Sequence, residues 1–408
     1  MHSPAHGSFF GSVVLLIKTT VGAGILTIPG AFSETGYFAG TLSIFVVSLI
    51  MFSTLQTLQR ASDKSSALAH IYQEVVREHL GHGAGLIADV TICMYQVMSC
   101  CAFLIIIGDS FHRQLANLLG IDDSLAWLTR PLATLLFSLP GFGLCFYPRM
   151  AQLSKFMGFG VAVISVIAAF IVGDSLLGGD IAAGVQALPS RWDGSFAKLS
   201  VFAFALQCHI AAPRILFELS PDLNEKRTII SMLAYGYIVL LYTLVGYCGY
   251  RKFGAAVAGN VMLSFQGGWA FGLLNILNGC QAIFGYALNQ YMARAAMYSL
   301  LIRMGIVGAP RSNEEPMIGS SSEIPQQHRH CLTVCMYLIT LTVACICNDL
   351  GRFATIIGAS VGTLVIFVFP ALLCWKLDGS SLFGRLQATF YGLSGGFILV
   401  SGLLSLFL

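Results

Sequence analysis

A lysine, three glycines and a proline interrupt the first apolar stretch of this sequence, where a helix is otherwise expected. These residues are Lys18, Gly22, Gly24, Pro29 and Gly30. Inside hydrocarbon, backbone N–H and C=O groups need internal partners and a charge is costly. An interruption of this kind therefore faces protein, a water-filled cavity or a ligand. It offers free backbone N–H groups, which suit a carboxylate, and one ammonium group.

A second interruption lies in the sixth apolar stretch, from Gln207 to Arg214, and it contains His209 and Pro213. Five predicted spans separate the two interruptions, which indicates two repeats of five spans followed by one extra span. Interrupted helices at matching positions of two halves are typical of a transporter's binding site. Half-helix N-termini suit a carboxylate and opposing carbonyls suit an ammonium group or a cation. The predicted substrate is therefore an amino acid.

The composition places these stretches in a membrane. Of 408 residues, 56% are hydrophobic and only 10% are charged, and the mean hydropathy is +0.78. Soluble domains carry about 25% charged residues, so this chain lacks the polar surface that water requires. The fold class predicted is an all-α integral membrane protein with one domain over residues 1–408. The net charge of +3 is small, and no nucleic acid partner is expected.

Eleven transmembrane helices are predicted, each near the length of about 20 apolar residues that a bilayer requires. They lie at about 9–32, 37–58, 86–107, 131–146, 156–172, 196–217, 229–250, 269–301, 332–347, 353–375 and 386–408. Repeat one then covers about 9–173, repeat two about 196–376, and the extra helix about 386–408. A helix at the surface is predicted for Ser66 to Leu80, and a flexible cytoplasmic loop for about 303–330.

Lysine and arginine are more frequent in the loops that a cytoplasmic N-terminus would place inside the cell. This bias predicts a multi-pass protein with a cytoplasmic N-terminus. Residues Met1 to Ser8 lack a basic n-region, so no removable signal peptide is expected. The cysteines lie in or beside apolar stretches and are interpreted as packing residues, so neither a metal site nor a cofactor is predicted. The plasma membrane and a vacuolar or lysosome-like membrane are both open as locations.

The interrupted stretches resemble the amino acid/auxin permease family, whose members have the LeuT-type fold. The family opens with a stretch containing lysine or asparagine, followed by Gly-x-Gly-(Ile/Leu)-Leu-x-(Leu/Ile)-Pro, and here Lys18, Gly22, Gly24 and Pro29 fit it. Further matches are Phe202 and Phe204 before Cys208 and His209, Ile215 with Glu218 and Leu219, Gly108 with Asp109, and Ile357 to Pro370.

The resemblance covers nearly the whole chain and implies a 5+5 inverted repeat with discontinuous helices 1 and 6. It also implies secondary active transport of amino acids by alternating access, and no enzyme activity. Ala287 and Met292 stand where the family has two prolines before an arginine, and Ala211 stands where it often has asparagine. These departures bear on the ion site and on selectivity.

Two sets of site residues are predicted from the interruptions and the resemblance. The substrate would contact Thr20, Val21, Gly22, Ala23, Gly24, Ile25, Leu26, Phe204, Gln207, Cys208 and His209. Ion coupling or gating would involve Lys18, Thr19, His209, Arg214, Glu218, Asn275 and Asn278, and Tyr95 and Gln96 of the third span are further candidates.

Each of these assignments has a plain structural alternative. The Lys18 ammonium either occupies the place of a sodium ion, which favours proton over sodium coupling, or is satisfied by helix carbonyls. His209 either carries a coupling proton or makes a structural hydrogen bond. Arg214 and Glu218, four residues apart, form either an inner gate or an ordinary pair at the membrane interface. For the whole chain, the alternatives are a sodium-coupled symporter, an amino acid sensor with little flux, or a channel.

Overall fold

The computed structural model describes residues 8–66, 71–119, 126–147, 157–178, 181–265, 268–308 and 324–407. Within these ranges the chain is helical and contains no β-strand. The predicted flexible loop at about 303–330 lies mostly outside the described residues, as does most of the segment Met1 to Ser8. The described part of that loop shows one helix that ends at Arg303 and the next that begins at Gln326.

The α-helices are numbered here in chain order. They are α1 (Phe9–Thr20), α2 (Ile28–Thr35), α3 (Tyr37–Asp63), α4 (Tyr72–Leu80), α5 (His82–Leu119), α6 (Ala126–Leu144), α7 (Met157–Leu177), α8 (Trp192–Ala197), α9 (Leu199–Ala205), α10 (Ala212–Phe217), α11 (Arg227–Phe253), α12 (Trp269–Arg303), α13 (Gln326–Ile346), α14 (Leu350–Ile357), α15 (Phe369–Asp378) and α16 (Leu382–Leu404). Short 3₁₀ helices cover Ala23–Thr27, Pro221–Lys226, Gly254–Ala256 and Val261–Leu263. Two π-helical segments, Gly358–Gly362 and Leu364–Val368, join α14 to α15.

In the described part of the chain, eight helical segments are long and apolar enough to cross a membrane, or nine if the bent pair α1–α2 counts as one span. The predicted fourth span corresponds to α6, where Arg130, Pro131 and Pro140 reduce the apolar character. The predicted sixth span is divided among α8, α9 and α10, each too short to cross alone. The total of eleven spans therefore stays a prediction.

The predicted surface helix is α4, and one of its faces is buried. Tyr72, Val75 and Val76 are inaccessible to solvent, and the Tyr72 hydroxyl donates a hydrogen bond to the Val365 carbonyl at 2.7 Å. That acceptor belongs to the second π-helical segment. Helix α4 is thus fixed to the transmembrane bundle on one side.

A close contact between α5 and α12 forms one wall of the bundle. Glycines on α12 make room for aromatic rings of α5, because a Cβ at Gly279 or Gly285 would lie 2.4 Å from a ring carbon of Phe111 or Phe103, respectively. Small residues let membrane helices approach closely, and dispersion contacts then hold them together.

Both predicted interruptions are real breaks. Helix α1 ends at Thr20, Gly22 has a non-helical backbone (φ −151°, ψ −126°), and the two halves of the span differ in direction by 48°. Helix α9 ends at Ala205, and regular helix resumes only at Ala212. Pro29 and Pro213 lie in the first turns of α2 and α10, where a missing N–H costs no helical hydrogen bond.

Candidate functional site

The two broken helices meet at their breaks. A Cβ at Gly24 would lie 2.6 Å from the Cα and 2.7 Å from the Cβ of Ala205, so the two backbones touch only because Gly24 has no side chain. The hydroxyl of Tyr242, on α11, lies 3.1 Å from the carbonyl oxygens of both Thr20 and Ala205. One tyrosine thus links the last carbonyls of α1 and α9.

The break in the first span leaves backbone donors free. The hydroxyls of Thr19 and Thr20 both donate to the Leu16 carbonyl at 2.9 Å, so these side chains are used within α1. The N–H groups of the segment Gly22–Gly24 have no acceptor in the described part of the chain. Free N–H groups at the start of a helical segment attract negative charge, as a carboxylate would supply.

A cavity of about 70 Å³ lies beside these N–H groups. It is lined by both breaks together with faces of α5 and α12. The lining residues are Lys18, Thr19, Thr20, Gly22, Ala23, Gly24, Tyr95, Gln96, Ser99, Phe103, Phe204, Gln207, Cys208, Ile210, Ala211, Gly285, Leu288, Asn289 and Met292. This volume exceeds the roughly 10–15 Å³ that one buried water needs, so the cavity can hold several waters or a small polar solute.

Lys18 is the one charged residue among those that line the cavity. Its side chain is buried, with 6% exposed, and its Nζ has no hydrogen-bond partner among the described residues. The tip of the side chain lies against Gly160 of α7, where a Cβ would be 2.5 Å from Nζ. An ammonium without a partner in this setting is unfavourable unless a ligand compensates it or its proton leaves.

Aromatic residues bound the cavity on one side. Phe103 fits between two glycines, because a Cβ at Gly22 would lie 3.2 Å from its ring and a Cβ at Gly285 would lie 2.4 Å from it. Tyr95 and Phe204 face each other with ring centroids 6.5 Å apart. All three rings are at least nine-tenths buried.

The opposite side of the cavity is more open. Several lining residues there are partly exposed, namely Thr19, Ile210, Ala211, Asn289 and Met292. Thr19 lies at the end of α1, Ile210 and Ala211 directly precede α10, and Asn289 and Met292 lie in the second half of α12. The cavity lining is therefore more exposed at these positions than at the aromatic rings.

The structure brings most of the predicted substrate residues together. Those that line the cavity are Thr20, Gly22, Ala23, Gly24, Phe204, Gln207 and Cys208, with Lys18 and Thr19 of the predicted coupling set. Val21, Ile25 and Leu26 are buried in the packing around the break instead. The Nε2 atom of Gln207 is buried without a partner in the described residues, so it is a free donor toward the cavity.

His209 lies elsewhere, although its neighbours line the cavity. It is fully buried against α3, with Nε2 at 2.9 Å from Thr54 Oγ1 and 3.2 Å from the Met51 carbonyl oxygen. This geometry agrees with a structural hydrogen bond, which was the alternative interpretation. Histidine therefore fixes the second break to the neighbouring span.

The remaining coupling and gate candidates also lie away from the cavity. Arg214 Nε and Glu218 Oε1 are 3.0 Å apart, and both side chains are substantially exposed, as in the interfacial pair of the alternative interpretation. Asn278 Nδ2 donates to Ser110 Oγ of α5 at 3.2 Å. Asn275 is buried, and its Nδ2 has no partner in the described ranges.

Many lining residues come from two continuous helices, and of these only Tyr95 and Gln96 were among the predicted candidates. On α5 the lining positions Tyr95, Ser99 and Phe103 recur every four residues, and Gln96 joins them. On α12 they are Gly285, Leu288, Asn289 and Met292, at the spacing of one helix face. That periodicity was visible in the sequence, but nothing in the sequence indicated which face turns toward the breaks.

A second cavity, of about 540 Å³, opens near the ends of α2, α8 and α16. Its charged residues are largely paired with each other: Lys198 with Glu34 at 2.8 Å, and Arg191 with Asp193 at 2.5 Å. The hydrogen bond from Arg191 lowers the pKa of the Asp193 carboxyl. Because these groups satisfy one another and are mostly exposed, the smaller cavity is the better candidate site.

Comparison with known proteins found a family model and several relatives that match most of this chain. The family model described as "Transmembrane amino acid transporter protein" matches residues 5–408. The sodium-coupled neutral amino acid transporter 7 of Xenopus laevis is 27% identical over 96% of this chain and 86% of its own length. The mouse (Mus musculus) solute carrier family 38 member 8 is 28% identical over 90% of this chain and 84% of its own. The human (Homo sapiens) sodium-coupled neutral amino acid transporter 7 is 27% identical over 90% of this chain and 78% of its own.

Proposed function

The chain belongs to the family of transmembrane amino acid transporter proteins, and on that premise we propose that it carries neutral amino acids through the cavity between its two broken helices. It is an integral, multi-pass membrane protein of a family of transporters. The names of its relatives favour neutral substrates. The proposed driving force is an ion gradient.

One observation supports this function most directly. The free N–H groups of Gly22 to Gly24 and the unpaired Lys18 ammonium line the same cavity. A substrate carboxylate fits the N–H groups, because they present donors and a positive helix end. The substrate side chain then extends toward Tyr95, Phe204 and the α12 face.

We further propose the arrangement that would give alternating access. Two five-helix repeats, at about 9–173 and 196–376, would be related by inversion, with 386–408 as an extra helix. The broken spans would then move against the wall formed by α5 and α12. The contact between Gly24 and Ala205 supports movement of the two breaks as one unit.

Two observations favour different coupling ions. The Xenopus laevis and human relatives are named sodium-coupled, which favours sodium. The buried Lys18 side chain favours a proton, because its positive charge beside the break repels sodium and its amine can lose and regain a proton.

Uptake into proteoliposomes tests the function and the ion together. The purified full-length chain would be reconstituted and supplied with labelled L-alanine or L-glutamine, under a sodium gradient, a proton gradient, or neither. Accumulation above the equilibrium level under either gradient supports transport. Saturable binding without accumulation under any gradient would instead identify an amino acid sensor, and would refute the proposal.

The substitution Lys18→Met distinguishes proton coupling through Lys18 from sodium coupling. Methionine keeps the length of the side chain but removes the titratable amine. Proton coupling through Lys18 predicts that uptake by the variant no longer responds to a proton gradient. An unchanged proton response would remove Lys18 as the coupling group, and a sodium requirement in the wild type would identify sodium as the ion.

A further inference from the structure

The missing side chain of Gly160, on α7, leaves the space that the end of the Lys18 side chain occupies. Gly160 is buried where α7 packs against α1. A Cβ at position 160 would lie 2.5 Å from Lys18 Nζ and 2.8 Å from Lys18 Cε, which is closer than non-bonded atoms can approach. The ammonium group therefore occupies space that the side chain of any other residue at position 160 would fill.

This glycine differs from a glycine that serves helix packing. Glycines in membrane helices usually let two backbones approach each other, as Gly24 does with Ala205. At Gly160 the three nearest atoms are all from the end of the Lys18 side chain: Nζ, Cε and Cδ, the last at 3.6 Å. The missing side chain accommodates a charged group that lines the cavity.

The contact determines where the cavity's charge is located. Lysine has a flexible four-carbon stem, and the Lys18 Nζ makes no hydrogen bond to the described residues that would fix it. The surface of α7 at Gly160 supports the tip of the side chain on one side. A methyl group there would displace Nζ from its present position beside the cavity.

We propose that Gly160 is a positioning residue of the transport site: its missing side chain keeps the Lys18 ammonium at the edge of the cavity, outside the substrate volume. The inference rests on the proposed transport function. It assigns to α7 a role in the site, although Gly160 itself is not among the cavity-lining residues.

The substitution Gly160→Ala tests this role in the full-length protein. The initial rate of L-alanine uptake should fall about tenfold, because misplaced groups at a site lose rate steeply. The midpoint of uptake against external pH should move by about one unit, because the ammonium has a new environment. The matched control is Gly158→Ala, two residues earlier on α7, where a Cβ meets nothing within 4 Å. The control should keep the wild-type rate and pH profile.

A Lys18→Ala background distinguishes an effect on the position of Lys18 from a general packing defect at position 160. In Lys18→Ala the atoms that a methyl at position 160 would meet are gone, so adding Gly160→Ala should change uptake or substrate affinity less than twofold. An equal loss in both backgrounds would show a packing defect and overturn the inference. A wild-type uptake rate and pH profile in Gly160→Ala would also overturn the inference. If the wild type transports nothing, the transport function fails, and the same variants are then compared by the affinity of L-alanine binding.

Discussion

At the residue scale, Gly24 makes a close contact between the two broken helices. In Gly24→Ala the new methyl would overlap the Ala205 backbone, and overpacking of this kind costs about 1–3 kcal/mol. We expect the variant to lose uptake and to unfold at a lower temperature. In Gly22→Ala the methyl meets only the edge of the Phe103 ring at 3.2 Å, so the effect should be smaller. Equal effects in a thermal-unfolding and uptake comparison would contradict this ranking.

Tyr242 carries the second residue-scale prediction. Its hydroxyl serves the carbonyls of Thr20 and Ala205, so Tyr242→Phe leaves both without this donor inside the protein. Buried polar groups left without partners cost about 1–3 kcal/mol. We expect a lower unfolding temperature in detergent. Tyr247→Phe, on the same helix but partly exposed, is the matched control and should unfold like the wild type. A Tyr242→Phe variant as stable as that control would refute the link between the breaks.

Sequence reasoning reached only part of the site at this scale. Gly22, Gly24 and Pro29 could be predicted, because glycine and proline inside an apolar run conflict with an ordinary helix. His209 could not be placed, because one sequence does not show which neighbour a side chain faces. Gly160 carries no local signal, since its role depends on a lysine of a distant helix.

At the scale of elements, a buried ion-pair network fixes α4 to the ends of α5 and α12. Asp89 accepts hydrogen bonds from Arg77 at 2.6 Å and from Arg303 at 2.8 Å, and it is fully buried. Glu74 pairs with the same two arginines. Burial raises the pKa of the Glu74 carboxyl, and the charge of Arg77 opposes that shift. The two acids and two arginines therefore depend on one another.

Removing one member of this network should be costly. Asp89→Asn leaves two arginines with one carboxylate, and breaking a buried pair costs about 3–5 kcal/mol. We expect a lower unfolding temperature and faster proteolysis around α4. The exposed pair of Arg191 and Asp193 provides the control, since Asp193→Asn should leave the unfolding temperature unchanged. Similar behaviour of the two variants would show that the network does not fix α4.

The elements themselves were predicted unevenly. The long apolar helices and both breaks follow from composition and from glycine and proline positions. The two π-helical segments between Gly358 and Val368 could not be predicted, because the sequence there resembles an ordinary apolar helix. The first of them packs closely on α9, since a Cβ at Gly358 would lie 1.9 Å from the Ser200 carbonyl oxygen. Segments of this type are frequent near functional sites.

At the scale of the whole molecule, the lining of the cavity is more exposed on one side than on the other. Aromatic rings and the contact between Gly24 and Ala205 bound it toward the end of α2 and the start of α9. Partly exposed residues, such as Ala211 just before α10 and Asn289 in the second half of α12, line another part of it. A protein that alternates access must spend part of its cycle with this exposure reversed. An amino acid that binds in the cavity should change the balance between the two states.

Cysteine labelling measures that exposure directly. In a background with Cys208, Cys331 and Cys335 changed to serine, Ala211→Cys should react with a membrane-impermeant thiol reagent from the side on which α1 begins. Ser190→Cys, exposed beside the second cavity, should react only from the other side. Saturating L-alanine should slow labelling of Ala211→Cys severalfold and leave Ser190→Cys unaffected, because only the first position borders the substrate cavity. Labelling of both positions from one side would refute the orientation of the cavity, and labelling of Ala211→Cys that ignores substrate would place the binding site elsewhere.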